Sequence, residues 1–243
     1  MSAPEPTIIA SSGGLKRGSY TELEFGSLIN YAIEVSNPKS KPPKVTFINT
    51  ANGDSRSLQA MLSEAGRVAK TETRHFSLFP MPNVPDAARY LLDSDVIWVG
   101  GGSVANLLAL WRLHKLPEIL HSAWQNGVVL GGVSAGSICW HIGGTTDSFG
   151  PELHHITNGL GFIPLSNGVH YDTESQRRPK FQALIRQGVL PDGYATEDGV
   201  GLHYQGTALL KAVTEAPGKG AYRVYLQDDV VHEDRIEPEL ISL

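Results

Sequence analysis

Residues 128–137, VVLGGVSAGS, are the segment from which the fold of this chain can be inferred. The segment begins with apolar, β-branched residues, which predict a buried strand. It continues as Gly132-x-Ser134-x-Gly136, and the apolar residues 138–140 that follow predict the start of a helix. Small residues on both sides of a serine allow a sharp strand-to-helix turn that exposes the hydroxyl. Ser134 is therefore a candidate nucleophile; the alternative is an ordinary Gly/Ser-rich turn that binds phosphate.

On either side of this turn, short apolar segments alternate with segments of helical periodicity. The predicted strands are residues 7–10, 45–51, 75–79, 95–99 and 128–133, and the predicted helices are residues 23–35, 58–69, 86–92, 105–113, 116–125 and 179–187. This alternation predicts an α/β fold, a three-layer α/β/α sandwich with a mostly parallel, doubly wound sheet. Residues 199–204, 208–213 and 221–226 alternate in polarity between turn signals, which predicts an antiparallel C-terminal strand group at the sheet edge. Nothing marks a linker or repeat, so we expect a single domain over residues 1–243.

In sheets of this kind, ligands bind beyond the carboxyl ends of the strands. Three loops are predicted at those ends: residues 11–14 (SSGG), residues 100–103 (GGGS) and the Ser134 turn. The glycine-rich loop 100–103 lacks the Lys-Ser/Thr of a phosphate-binding loop. A glycine backbone can instead approach a substrate and donate an N–H to a developing oxyanion.

Composition limits the classes of partner. The chain has 243 residues, of which 41% are hydrophobic and 19% charged, and its net charge is −5. This charge gives no reason to expect nucleic acid or an anionic membrane as a partner. No apolar run approaches the ~20 residues of a membrane helix, and residues 1–6 lack the features of a signal peptide. Cys139 is the single cysteine, which excludes an intramolecular disulfide. We expect a soluble cytoplasmic protein.

A serine nucleophile needs a general base that is itself oriented by a third group. Of the nine histidines, His170 is favoured because it follows the Gly-rich residues 143–168, which could return it over the strand ends. His154 and His155 are adjacent and point apart, so we expect no metal site there. Spacing does not decide among the candidate orienting acids, which are Asp147, Asp172, Glu197 and Asp198.

Arg177 and Arg178 follow His170 by seven and eight positions. They are interpreted either as a solvated helix start or as a pair of which one binds a substrate carboxylate in a bidentate manner.

Several of these segments resemble peptidase E, the S51 serine peptidases, whose relatives include cyanophycinases. The resemblance is carried by residues 96–103 (VIWVGGGS) with the apolar helix positions after them, and by residues 131–137 (GGVSAGS). Weaker matches lie at residues 145–147, 159–163, 170–172 and 193–202, so the resemblance covers most of the chain.

The resemblance implies an α/β/α sandwich related to class I glutamine amidotransferases, and a homodimer. It implies Ser134 as the nucleophile and His170 as the base, with Glu197 or Asp147 as the third member and a preference for Glu197. The implied oxyanion donors are the N–H groups of Ala135 and of Gly101 or Gly102.

The resemblance further implies a peptidase that needs no metal or cofactor and acts on a small peptide substrate through an acyl-enzyme. Relatives that release N-terminal Asp from dipeptides carry an arginine after the catalytic histidine, for which Arg177 is the nearer match and Arg178 the alternative. The competing hypotheses are a cyanophycinase-like hydrolase of aspartyl-arginine polymer, a related esterase, and a non-catalytic binding module. The last is disfavoured because a nucleophile, a base and candidate acids are all present.

Overall fold

The fold was analysed in a computed structural model that describes residues 3, 5–38 and 40–242. Residues 1–6, for which we expect no signal peptide, lie partly outside the described residues. The strands are β1 (Thr7–Ser11), β2 (Leu15–Arg17), β3 (Leu23–Phe25), β4 (Lys44–Ile48), β5 (Glu72–Phe76), β6 (Val96–Val99), β7 (Val129–Val133), β8 (His141–Thr146), β9 (His154–Ile156), β10 (Ile163–Gly168), β11 (Gly193–Thr196), β12 (Val200–Gln205), β13 (Ala208–Thr214), β14 (Ala221–Gln227), β15 (Val230–Ile236) and β16 (Glu239–Leu240). The helices are α1 (Ser27–Val35), α2 (Arg56–Val68), α3 (Ala87–Leu92), α4 (Val104–Leu113), α5 (Leu116–Gln125), α6 (Ala135–Ile138) and α7 (Arg177–Arg186), with a 3-10 turn at Thr50–Asn52. None of these helices has the length and apolar character of a membrane span.

The larger sheet contains the strand that leads to Ser134. Its eight strands have the order β16-β13-β12-β1-β7-β6-β4-β5. Strands β1, β7, β6, β4 and β5 are mutually parallel, whereas β12 is antiparallel to β1 and β13 is antiparallel to β12. The predicted α/β class, with a mostly parallel sheet and antiparallel C-terminal strands, is confirmed.

Both faces of the inner parallel strands β1, β7, β6 and β4 are buried, whereas β5 is partly exposed at the sheet edge. In β1, Ile8 and Ala10 join one hydrophobic cluster and Ile9 joins another, and all three are fully buried. The first cluster includes side chains of α4 and α5, and the second includes side chains of α1 and α2. Each fully buried leucine or isoleucine stabilises the fold by about 1.5–3 kcal/mol. Burial on two faces explains why these strands are continuous apolar runs, and it produces the three layers.

The alternating pattern predicted that the C-terminal strands form a single meander at the sheet edge. In the structure they are divided between two sheets. Strands β12 and β13 extend the larger sheet, but β14 and β15 belong to a second sheet of six strands with the order β15-β14-β11-β10-β8-β9. The chain crosses from the second sheet to the first within residues 197–199, between β11 and β12. Alternating polarity identifies a half-buried strand but carries no information about which sheet the strand joins.

Two helix predictions also need correction. The helix predicted at residues 23–35 begins only at Ser27, because residues 23–25 form β3, which pairs with β2. The carboxylate of Glu215 accepts hydrogen bonds from the backbone N–H groups of Leu28 and Gly14, at 3.0 and 2.8 Å, and so stabilises the start of α1 from a distant part of the chain. The helix after Ser134 is a single turn, since β8 begins at His141.

Candidate active site

Ser134 occupies a strained position directly after β7. Its φ of 56° and ψ of −112° lie outside the regions that a residue with a side chain ordinarily adopts. Such a conformation costs on the order of 1–3 kcal/mol and persists only where neighbouring groups hold it. Here the Ser134 N–H donates to the Ser11 carbonyl at 3.1 Å, and the Ser134 carbonyl accepts from Ser137 and Ile138 at 2.8 and 2.9 Å. Strand, strained serine and helix follow one another as the sequence predicts.

The small residues around Ser134 are required by close backbone approach. A Cβ atom on Gly136 would lie 2.1 Å from the Val99 carbonyl oxygen, and a Cβ on Gly132 would lie 2.5 Å from the Gly136 carbonyl oxygen. Any larger residue would push α6 away from β6 and β7. The glycines therefore allow the sharp turn that presents the Ser134 hydroxyl.

The glycine-rich loop after β6 lies against Ser134. The position of a Cβ on Gly101 is 3.4 Å from Ser134 Cβ and 4.0 Å from its Oγ. The loop is anchored on both sides, because Gly100 N–H donates to the Ile48 carbonyl at 3.0 Å and Ser103 N–H donates to the Ala51 carbonyl at 2.9 Å. The backbone of Gly101 is thereby held beside the hydroxyl.

The other predicted oxyanion donors take different positions. Ala135 is the first residue of α6, and the first N–H groups of a helix have no acceptor within the helix. Gly102 has a φ of 131°, and a Cβ there would lie 2.4 Å from the Ala51 carbonyl oxygen. Gly102 thus packs on the 3-10 turn, whereas Gly101 and Ala135 adjoin Ser134.

His170 follows β10 of the second sheet and is tied to the first sheet through a buried serine. The His170 N–H donates to Ser12 Oγ at 3.1 Å, and Ser12 Oγ lies 2.7 Å from Thr196 Oγ1. Ser12 directly follows Ser11, whose carbonyl accepts the Ser134 N–H. The end of β1 therefore connects the backbone of the serine to that of the histidine.

The carboxylate that contacts His170 belongs to Asp198. Its Oδ1 lies 2.6 Å from His170 Nδ1, and the two side chains are 39% and 20% exposed, respectively. Asp198 lies on the crossover between β11 and β12. A carboxylate at Nδ1 favours the tautomer that carries the proton there, which leaves Nε2 able to act as a base.

Glu197 and Asp147, the expected acids, make other contacts. Glu197 Oε2 accepts from Gly220 N–H and its Oε1 accepts from the Tyr222 hydroxyl, both at 2.7 Å. The carboxylate of Asp147 is 65% exposed and lies 4.0 Å from Arg177 Nη2. The crossover is a hydrogen-bonded turn, in which the Val200 N–H donates to the Glu197 carbonyl at 3.1 Å, and within it the Asp198 side chain contacts His170 whereas the Glu197 side chain contacts Gly220 and Tyr222. Asp198 was among the acids that the residue types allowed; nothing in their spacing singled it out.

Both arginines after His170 are engaged by protein groups. The Arg177 side chain is 2% exposed; its Nε donates to Glu174 Oε2 at 2.7 Å and its Nη1 to the Thr145 carbonyl at 2.6 Å. Arg178 pairs with Glu233 and lies over the Tyr222 ring, 4.9 Å from its centroid. A cavity of about 380 Å³ adjoins the Arg177 partners, and its walls include Asp147, Leu153, Thr173, Glu174 and Gln176.

His141, seven residues past Ser134, is a structural residue. It is fully buried, with Nδ1 3.0 Å from the Ser137 carbonyl oxygen and Nε2 3.2 Å from the Tyr204 hydroxyl. Burial lowers the pKa of His141 to about 4. Within the described residues, no group of three or more histidine, cysteine, aspartate or glutamate side chains is arranged to hold a metal ion.

Comparison with known proteins identifies the family of this chain. The profile of peptidase family S51 matches residues 8–211. The chain is 39% identical over 226 residues to the uncharacterized peptidase YgaJ of Bacillus subtilis (strain 168), an alignment that covers 93% of this chain and 95% of the relative.

Two solved structures share the fold at lower identity. A peptidase from an acI-B1 Actinobacterium superposes with a TM-score of 0.67 at 16% identity, covering 96% of this chain and 95% of the other. A putative peptidase E protein from Listeria monocytogenes EGD-e superposes with a TM-score of 0.54 at 13% identity, covering 95% of this chain and 98% of the other. Since the family profile spans most of the chain, including both the Ser134 turn and His170, the chain belongs to peptidase family S51.

Proposed function

We propose that this peptidase is of the serine type and that Ser134, His170 and Asp198 form its catalytic triad. The observation that carries the proposal is the 2.6 Å contact between His170 Nδ1 and Asp198 Oδ1. A base oriented in this way is the feature that distinguishes an activated serine from a serine in an ordinary turn. The strained backbone of Ser134 supports the same assignment.

In the proposed reaction, Ser134 Oγ attacks the carbonyl carbon of the scissile peptide bond and its proton passes to His170 Nε2. Asp198 stabilises the resulting imidazolium through Nδ1. The N–H groups of Gly101 and Ala135 donate to the oxyanion of the tetrahedral intermediate. His170 then protonates the leaving amine, and water hydrolyses the acyl-enzyme with His170 again acting as the base.

The proposed substrates are short peptides, in particular dipeptides with an N-terminal aspartate. The support is the resemblance to peptidase E and the position of Arg177 beside the cavity that Thr173 also lines. Because Arg177 Nε donates to Glu174, a substrate carboxylate would have to displace the Glu174 carboxylate from it. Arg178 is the alternative cation, and it would have to leave Glu233.

A second candidate function is a cyanophycinase-like hydrolase of aspartyl-arginine polymer. One observation favours it: two carboxylates, Asp147 and Glu174, line the cavity, and Arg177, which lies within 4.0 Å of both, offsets only one of the two negative charges. A cavity with an excess of negative charge suits the guanidinium of a substrate arginine better than the carboxylate of an aspartate.

The test is hydrolysis of Asp-Leu, Glu-Leu, Ala-Leu, an N-blocked Asp peptide, an aspartyl-arginine polymer and a simple ester. We compare the purified protein with Ser134→Ala and with Ser63→Ala, an exposed serine on α2 that serves as the matched control. We expect cleavage of Asp-Leu by wild type and Ser63→Ala, and a loss of roughly 10⁴–10⁶-fold in kcat for Ser134→Ala. Cleavage of the polymer alone would favour the second function, and full activity of folded Ser134→Ala would refute the serine mechanism.

From the same resemblance we propose a cytoplasmic homodimer that needs no metal. Sedimentation equilibrium should give twice the mass of the chain, and activity should survive prolonged dialysis against a chelator. A monomeric mass, or activity restored only by a divalent ion, would contradict these expectations.

A further inference from the structure

The orientation of the Asp198 carboxylate needs an explanation. Asp198 lies on a three-residue crossover rather than within a helix or strand, and its side chain is 39% exposed. The flanking backbone is held, because Gly199 N–H donates to the Ser12 carbonyl at 2.9 Å and Glu197 N–H donates to the Gly220 carbonyl at 3.1 Å. Backbone bonds do not fix the rotation of a partly exposed carboxylate about its own side-chain bonds.

Two side chains from the turn that carries His170 contact Asp198. Thr173 Oγ1 donates to Asp198 Oδ2 at 2.9 Å, while Oδ1 of the same carboxylate contacts His170. Asp172 Oδ1 accepts the Asp198 backbone N–H at 3.0 Å, and Oδ2 of Asp172 pairs with Lys219. Both oxygens of Asp198 and its own N–H are thus held by residues 170–173.

The turn gives these contacts a shared frame. Glu174 N–H donates to the His170 carbonyl at 3.2 Å, and Tyr171 N–H donates to the Thr196 carbonyl at 3.1 Å on the strand that leads to Asp198. The base and the hydroxyl that holds its acid are therefore parts of one hydrogen-bonded turn. A shift of this turn would move His170 and Thr173 together.

We propose that Thr173 is a positioning residue for catalysis: its hydroxyl holds the Asp198 carboxylate in the orientation that directs Oδ1 at His170 Nδ1. The proposal rests on the proposed triad. A hydrogen bond to an ionised carboxylate is about twice as strong as one between neutral groups, and it is directional. Without it the carboxylate can rotate toward solvent, which leaves His170 less well oriented and its imidazolium less stabilised.

The test compares Thr173→Val with Thr173→Ser. Valine has nearly the shape of threonine but no hydroxyl, whereas serine keeps the hydroxyl. We expect Thr173→Val to lower kcat about 10–100-fold, the range that corresponds to loss of a hydrogen bond to a charged group, with KM changed less than about twofold. Thr173→Ser should recover most of kcat. Thr207→Val, an exposed threonine beyond the other end of β12, is the matched control and should behave as wild type.

A double-mutant cycle separates this proposal from the proposed triad. If Thr173 acts through Asp198, then Thr173→Val should have almost no further effect on kcat in an Asp198→Asn background. Equal effects of Thr173→Val in both backgrounds, unchanged kcat for Thr173→Val, or failure of serine to restore kcat would overturn the proposal while leaving the triad intact. Wild-type kcat for Asp198→Asn would overturn both.

Discussion

The carboxylate of Asp198 lies 2.6 Å from His170 Nδ1, whereas the neighbouring Glu197 carboxylate accepts hydrogen bonds from Gly220 and Tyr222. Adjacent acids therefore have different tasks. Glu197 links the crossover to β14 and the turn before it, and Asp198 orients the base in the proposed triad. A family resemblance that places an acid within this segment does not distinguish between two consecutive carboxylates.

Substitution of each acid by its amide should reveal the difference. Asp198→Asn should lower kcat by about 10²–10⁴-fold with little change in melting temperature, because an amide no longer stabilises the imidazolium or the required tautomer. Glu197→Gln should lower the melting temperature and cause only a small loss of kcat, since it weakens the hydrogen bonds to Gly220 and Tyr222. Steady-state kinetics and thermal denaturation of the same preparations provide both readouts.

Asp147→Asn is the third member of this comparison and should be nearly neutral for kcat, because the Asp147 carboxylate is 65% exposed and 4.0 Å from the cation beside it. A larger loss of kcat in Glu197→Gln or Asp147→Asn than in Asp198→Asn would reassign the acid.

At the scale of the element, the loop after β6 uses two consecutive glycines for different purposes. Gly101 adjoins Ser134, and a Cβ there would meet only ordinary contacts, the nearest at 3.4 Å. Gly102 has a φ of 131°, and a Cβ would clash with the Ala51 carbonyl oxygen at 2.4 Å. The first glycine leaves room beside Ser134, the proposed nucleophile, and the second is required by the backbone conformation.

The two alanine variants should therefore separate catalysis from stability. Gly101→Ala should fold with a nearly unchanged unfolding free energy but lose roughly 10²-fold in kcat, because a methyl group enters the space beside Ser134 and disturbs the oxyanion site. Gly102→Ala should lower the unfolding free energy by about 1–3 kcal/mol, since alanine is strained at this φ. Urea denaturation combined with kinetics tests both. Strong destabilisation by Gly101→Ala together with a neutral Gly102→Ala would contradict the assignment.

Hydrophobic periodicity does not predict that the chain passes from one sheet to the other at residues 197–199. The two flanking strands, β11 and β12, lie in different sheets, and the chain passes between them beside Ser12. Hydrophobic alternation predicts β12, β13 and β14 with bounds close to those observed. Their division between two sheets depends on long-range pairing, which local patterns do not encode.

At the scale of the molecule, buried neutral histidines couple folding to pH. Burial lowers the pKa values of both His141 and His203 to about 4, and for His203 the positive charge of Lys211 adds to the effect. In the unfolded chain each would titrate near 6.5. Below that pH the unfolded state binds protons that the folded state excludes, so stability is full above about pH 6.5 and is lost as the pH falls toward 4.

We expect the unfolding free energy to decrease by about 2 kcal/mol per buried histidine between pH 7.5 and pH 5. In His141→Asn the amide can replace the bond to the Ser137 carbonyl but does not titrate, so this pH-dependent loss should shrink by that amount. His232→Gln, at an exposed position, should leave the loss unchanged. Denaturant titrations at the two pH values measure the loss of unfolding free energy. An identical loss in wild type and His141→Asn would show that protonation of His141 does not contribute to it.

The α/β class, the turn at Ser134 and the presence of a glycine-rich loop at the same end of the sheet are predictable from the amino-acid sequence alone. The class and the turn depend on residues that are close in the chain, namely continuous apolar strands and a strand-to-helix turn, and the place of the loop follows from the common direction of parallel strands. The sequence also favoured His170, through the position of that residue after a glycine-rich segment.

The acid that contacts His170 and the partners of Arg177 and Arg178 depend on long-range contacts that local sequence does not encode. Asp198 is 28 positions from His170, and Arg178 is 55 positions from Glu233. These contacts arise from a crossover between two sheets and from a hairpin at the edge of the second sheet. Several carboxylates in the chain have suitable chemistry, and long-range strand pairing alone selects the one that reaches the histidine.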